Sequence, residues 1–201
     1  MSILILLFQI FNFREGDILF QDCDCGPICD AIEEVTISRD KRRYSHIGFV
    51  VMDQNQLKVI EANTQGVKMV NLDSFINRYH NAKGRPTISV GRLSPSYRPM
   101  IAKASIFCKS KLGMAYDTVF LLNNHVYYCS ELIYDAFKSA NNNREFFKLY
   151  PMTFKKRGLN QTHPEFKKYY ESIRCDIPEG HLGLNPGSIS RDSRIQIHHL
   201  Y

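Results

Sequence analysis

Three residues of this chain, Cys129, His46 and Glu61, are of the types that together run thiol chemistry. A cysteine nucleophile needs a base within hydrogen-bond reach, and the base needs a third group to hold its tautomer and support its charge. Cys129 lies in Tyr127-Tyr128-Cys129-Ser130-Glu131-Leu132, and Leu132, Ile133, Ala136, Phe137 and Ala140 follow at helical spacing. The cysteine therefore falls at or just before a helix N-terminus, where unpaired N–H groups and the helix dipole favour an anion. A small buried cysteine plugging a helix–sheet junction is the competing explanation of its position.

The other two residues belong to a hairpin. His46 opens the strand Ile47 to Met52, Asp53-Gln54-Asn55-Gln56 has turn chemistry, and Leu57 to Ala62 returns. A loop centred on Gln54 and Asn55 sets Gly48 opposite Glu61 and His46 opposite Asn63, so the four share one face. Glu61 is then diagonal to His46, about 7–8 Å away between backbones, a gap two long side chains can close. Gly48, lacking a side chain, leaves space in front of Glu61, and Asn63 is the reserve orienter. Edge residues meeting solvent would explain a His and a Glu here equally simply. Against that, Glu61 interrupts the apolar Val59-Ile60 just before Ala62, a costly place for a carboxylate without a partner.

The remaining pattern supplies the scaffold. Arg14-Glu15-Gly16-Asp17 reads as a turn into a buried strand Ile18-Leu19-Phe20, followed by a cysteine-bearing loop and a short helix around Ala31 to Ile37. Strands are expected at Val67 to Val70, after a turn at Gly66, and at Thr87 to Arg92, with a short helix over Asp73 to Tyr79 between them. Pro95 and Pro99 introduce a helix from Pro99 to Leu112, with Ile101, Ala104, Phe107, Cys108 and Leu112 inward and Gly113 as its stop. Beyond Asn141-Asn142-Asn143 the chain reads as loop-rich, with one helical piece near Glu165 to Ile173. His125 reads as a loop residue.

The chain has 201 residues, 44% hydrophobic and 12% aromatic, which suits one globular domain over residues 14–201 and excludes disorder. Residues 1–13 form an apolar N-terminal segment. Its run Ile3 to Phe11 is too short to span a bilayer and reads as a first strand or the remnant of a secretory signal. The formal charge of +6 comes in part from Arg39-Asp40-Lys41-Arg42-Arg43 and Lys155-Lys156-Arg157. Such runs leave room for an anionic partner, including peripheral contact with a membrane. No zinc-finger spacing, glycine-rich phosphate loop or aromatic ladder points to nucleic acid. Cys23, Cys25 and Cys29 cluster, but no companion His or Cys recurs at metal spacing, so neither a metal nor a cofactor is expected. A Cys25–Cys29 disulfide and three reduced loop cysteines are both consistent with the spacing.

Five motifs in order carry a resemblance: Gly16-Asp17-Ile18-Leu19-Phe20, Tyr44-Ser45-His46-Ile47-Gly48, Ile60-Glu61-Ala62, Gly113-Met114-Ala115-Tyr116-Asp117 and Tyr128-Cys129-Ser130-Glu131-Leu132. Together they resemble the YiiX/YebB-like branch of the NlpC-type cysteine peptidases, a circularly permuted papain-like fold in which His precedes Cys. The tail segments Pro151-Met152-Thr153-Phe154 and Asn185-Pro186-Gly187 look like bacterial members of that branch. The resemblance implies an α+β fold in which a small antiparallel sheet packs on the helix bearing the nucleophile. It implies Cys129 as nucleophile, His46 as general base and acid, and Glu61 as the residue orienting His46. The oxyanion would meet the Cys129 N–H and a second donor among Tyr44, Tyr116, Tyr128 and Gln21, each of which packing alone would also explain.

The expectation is a thiol hydrolase working through an acyl-enzyme, on an amide such as that of a cell-wall peptide in the periplasm or cell envelope. A cytoplasmic location follows if the N-terminus is not a signal. The alternative substrate is a lipid ester or amide, by hydrolysis or acyl transfer, which the apolar N-terminal run and the basic loop beside His46 suit. A third class is a binding module that keeps the fold without turnover, against which the retained Cys129, His46 and Glu61 speak.

Overall fold

A computed structural model describes residues 11–200 of the chain. Positions 3–10 of the apolar N-terminal run lie outside them. The elements are β1 (Ile18–Gln21), α1 (Pro27–Val35), β2 (His46–Asp53), β3 (Gln56–Asn63), β4 (Gly66–Asn71), α2 (Leu72–Ile76), β5 (Ile88–Leu93), α3 (Ile101–Ser110) and α4 (Cys129–Ala140). They continue with β6 (Tyr150–Pro151), α5 (Pro164–Ser172), β7 (Leu182–Gly183), α6 (Pro186–Ser190) and β8 (Ile195–His199). Six strands form one antiparallel sheet in the order β4-β3-β2-β1-β5-β8, and β6 pairs with β7 in a separate ribbon.

The β2–β3 hairpin has the register expected from its turn. Phe49 lies opposite Ile60 and Asp53 opposite Gln56. Gln54 and Asn55 both have positive φ, 45° and 59°, the backbone of a two-residue turn whose twist matches that of the strands. Alternation along the strands then divides the apolar side chains between two faces. Ile47, Phe49, Val51, Ile60 and Ala62 join the main core, where Phe49 meets Phe137 of α4 edge-on with centroids 5.6 Å apart. Leu19, Val50, Val59 and Phe75 build a second, smaller cluster on the opposite face.

α4 buries Leu132, Ile133, Ala136, Phe137 and Ala140, the face its periodicity marks out, and it buries Ser130, Glu131 and Tyr134 as well. Other expectations need correction. α1 starts at Pro27, where a missing N–H costs nothing in the first turn, and ends at Val35 because Thr36 is extended. A 3-10 segment covers Pro95–Met100, so α3 begins only at Ile101 and stops at Ser110. Leu112 is exposed rather than inward; Ala104, Ser105 and Cys108 of α3 are buried, and Ile101 and Phe107 pack half-buried against the main core as expected. The short helix is Leu72–Ile76, leaving Arg78 and Tyr79 beyond its end. The tail carries more regular structure than expected: β8 closes the sheet against β5, with Leu93 opposite Ile195 and Ser89 opposite His199.

Candidate active site

His46 is the first residue of β2 and Cys129 the first residue of α4, so strand start and helix start meet at one end of the sheet. His46 Nε2 lies 2.6 Å from Glu61 Oε2. Cys129 is the other group acting on this ring, and its interaction with the imidazole favours the protonated form. Cys129 is 7% exposed, and its sulfur stands 3.9 Å from the Ser130 hydroxyl. No side chain caps α4, so the N–H groups of its first turn remain for an anion at the sulfur. Cys25 and Cys29 are disulfide-bonded across the start of α1.

Glu61 is fully buried, and the partner its burial demands is Arg78. The Arg78 guanidinium donates Nη1 to Oε2 at 2.9 Å and Nη2 to Oε1 at 2.6 Å, a two-pronged, charge-assisted grip. Burial alone would raise the Glu61 carboxyl, but hydrogen bonds from His46 and Arg78 outweigh it and bring its pKa down to about 2. Burial likewise opposes a charge on His46, yet hydrogen bonds to Cys129 and Glu61 raise its pKa to about 9. The imidazole thus keeps its proton through neutral pH.

Phe75 carries this set from below. Its ring lies 5.9 Å from that of His46, and the Arg78 guanidinium sits 5.1 Å over it. The space that Gly48 leaves is occupied by this ring rather than open before Glu61. A Cβ at Gly48 would come 2.6 Å from Val59 and 2.9 Å from Phe75. Arg78 and Phe75 are the residues that the sequence reading missed. No spacing marks an arginine two places past a short helix, but a carboxylate embedded among apolar strand residues requires a cation somewhere.

The other candidates separate. Tyr116 and Tyr128 line the cavity beside Cys129, and Tyr128 accepts the Leu184 N–H on its hydroxyl at 3.4 Å. Burial and the neighbouring Cys129 raise the Tyr116 phenol. Gln21, fully buried in β1, donates its amide to Phe75 O at 3.0 Å. Tyr44 is buried in the main core with its ring 5.2 Å from Phe20. Asn63 serves the β3–β4 turn, where its Oδ1 accepts the Gln65 N–H at 2.9 Å. Glu61, not Asn63, is the residue hydrogen-bonded to His46.

The cavity at Cys129 has a volume of about 250 Å3, and its walls include Ile32, Val35, Phe120, Met152, Phe154 and Leu184. Arg191 is the one charged side chain among its described lining residues. Phe120 holds φ at 61°, in a loop that the buried Asp117 anchors by accepting the Val119 and Leu121 N–H groups at 2.8 and 2.7 Å.

Comparisons with known proteins place the chain in a family and a fold. The model of a family described as "permuted papain-like amidase enzyme, YaeF/YiiX, C92 family" matches residues 12–197. The crystal structure of the metalloprotein yiiX from Escherichia coli O157:H7 is similar at a TM-score of 0.70 and 25% identity, over 92% of this chain and 96% of that one. No curated protein matches the chain. The yiiX protein is described as a metalloprotein, but the described residues of this chain do not fit a metal. Among the described residues no three His, Cys, Asp or Glu are grouped to hold one, and both Glu61 oxygens are taken by His46 and Arg78. With the family model spanning nearly the whole chain, the protein belongs to the permuted papain-like amidases of the YaeF/YiiX family and is a thiol hydrolase of the peptidase/amidase type.

Proposed function

We propose that Cys129, His46 and Glu61 form the catalytic triad of this hydrolase, and that it transfers an acyl group from an amide or ester to water. The observation that supports it most is the 2.6 Å bond between His46 and the buried Glu61, with Cys129 at the start of α4 as the other group acting on the same imidazole. The sulfur attacks the carbonyl carbon, a C–S bond forms and the carbonyl electron pair moves to oxygen, facing the N–H groups at the start of α4. Collapse of that adduct breaks the bond to the leaving group, which takes the proton from His46. His46 then removes a proton from water, the hydroxide attacks the thioester, and the C–S bond breaks to return the thiolate and release a carboxylic acid. Glu61 fixes the imidazole through Nε2 and offsets its charge, and Arg78 fixes Glu61.

Two substrate classes suit this chemistry, the amide of a cell-wall peptide and an acyl amide or ester of a lipid. The cavity favours the second. Wall peptides present several carboxylates, whereas these walls are mainly aliphatic and aromatic, with neutral Ser, Thr and Asn side chains between and Arg191 as their single charge. Purified protein should leave sacculi intact and cleave acyl esters of increasing length. Each methylene that enters the cavity should raise kcat/KM about fourfold, from ~0.8 kcal/mol per buried CH2. Cys129→Ser should abolish turnover. Stem-peptide release from sacculi without acyl-ester cleavage would move the assignment back to the wall. Ligand affinity without turnover in wild type, unchanged in Cys129→Ser, would mean a binding module.

A further inference from the structure

We propose that the face carrying the mouth of this cavity docks on an anionic phospholipid bilayer. Seven large apolar side chains are exposed among the described residues; three of them border that mouth, and a fourth, Leu159, follows two residues after Arg157 on the rim of an adjoining depression. Ile37 and Tyr150, 52% and 39% exposed, stand in the cavity wall itself. Leu182, 57% exposed, is paired with Pro151 of the same wall. Leu159, also 57% exposed, tips the turn closed by its own N–H on Lys156 O at 3.0 Å. Exposed apolar side chains gathered on one face, unlike ones scattered singly, mark an interaction surface.

Positive charge lies beside these tips. Thr36 and Ile37 are shared between the cavity and an adjoining depression whose rim includes Lys41, Arg42, Arg43 and Arg157. That depression also holds acids, and they are engaged: Arg43 pairs with Asp30 at 2.7 Å and Glu33 at 2.5 Å, and Glu34 lies 3.2 Å from His163. Lys41, Lys156 and Arg157 have no acidic partner among the described residues, and Arg191 at the cavity wall lies over the Tyr150 ring at 5.7 Å. Apolar tips flanked by unpaired cations are what an anionic lipid surface rewards, since the tips enter the acyl boundary while the cations meet headgroups. An acidic protein would satisfy the cations but would not need apolar tips spread around a cavity mouth. No helix among the described residues is long and apolar enough to cross a membrane, so this contact is peripheral.

Docking is independent of turnover, and its test uses the full chain with Cys129→Ser, sedimented with vesicles. Phosphatidylcholine vesicles containing phosphatidylglycerol should bind the protein, pure phosphatidylcholine vesicles should bind it far less, and high salt should release it. Arg157→Ala should weaken binding about fivefold, the worth of one cation at such a surface, and Leu159→Ser about tenfold for lost apolar burial. Ile106→Ser, at the exposed apolar residue on α3 (69% exposed), should bind like the parent. Equal binding to neutral vesicles, no binding to anionic ones, indifference to Leu159→Ser and Arg157→Ala, or an equal loss in Ile106→Ser would each overturn the assignment.

Discussion

The Glu61 carboxylate receives three charge-assisted hydrogen bonds with no solvent exposure, and the protonation of the whole set depends on it. Glu61, lowered from 4.5 to about 2, adds stability above pH 4.5 that is lost as pH falls through about 2. His46, raised from 6.5 to about 9, adds stability below pH 6.5 that is lost as pH rises through about 9. Arg78→Met keeps the stem over Phe75 but removes the grip on Glu61. We expect it to cost about 3 kcal/mol of stability, as breaking a buried pair does. It should also raise the acid limb of kcat/KM toward neutral pH, because Glu61 then ionises less readily. Chemical denaturation and a pH–rate profile would measure both effects. At this scale the His46–Glu61 pairing was legible because hairpin register follows from turn position. Arg78 was not, because it reaches Glu61 through tertiary packing.

Each strand and helix near the site does two jobs, building core and fixing one reactive group. β2 sends Phe49 toward α4 and His46 to the opposite face, so His46 meets Cys129 at the end of the sheet rather than through it. Gly48, two residues along the same face, is the tight point because Val59 and Phe75 fill the space a Cβ needs. Gly48→Ala should cost about 1–3 kcal/mol by overpacking. Because the displaced Phe75 carries both His46 and Arg78, kcat should fall more than KM rises, and steady-state kinetics alongside thermal melts would show that split. The elements with strong internal periodicity, α4 and the hairpin, were readable from the chain. β8 was not, since Ile195–His199 is a five-residue edge strand after a proline- and glycine-rich stretch. It is defined by its ladder to β5 more than by its own pattern.

For the molecule as a whole, one buried acid outside the triad works against stability as pH rises. Glu131, 2% exposed, has one carboxyl oxygen without a hydrogen bond and the other at 3.2 Å from the Asn123 N–H. Burial raises its pKa from 4.5 to about 8, so folding favours the neutral form, and stability falls as pH rises from 4.5 through about 8. Glu131→Gln should therefore match wild type below pH 4.5 and exceed it at pH 8 by at least about 1 kcal/mol, some 2–4 °C in Tm. Melting curves at the two pH values would test this. The central claim, that Cys129 and His46 act as a pair held by Glu61, is tested most directly by the pH dependence of alkylation at Cys129. Peptide mapping would separate it from the exposed Cys175, in wild type and in His46→Ala. The account predicts rapid labelling of Cys129 at pH 6 that collapses without His46. Labelling only above about pH 8, the range of an ordinary thiol, and indifferent to His46, would contradict it.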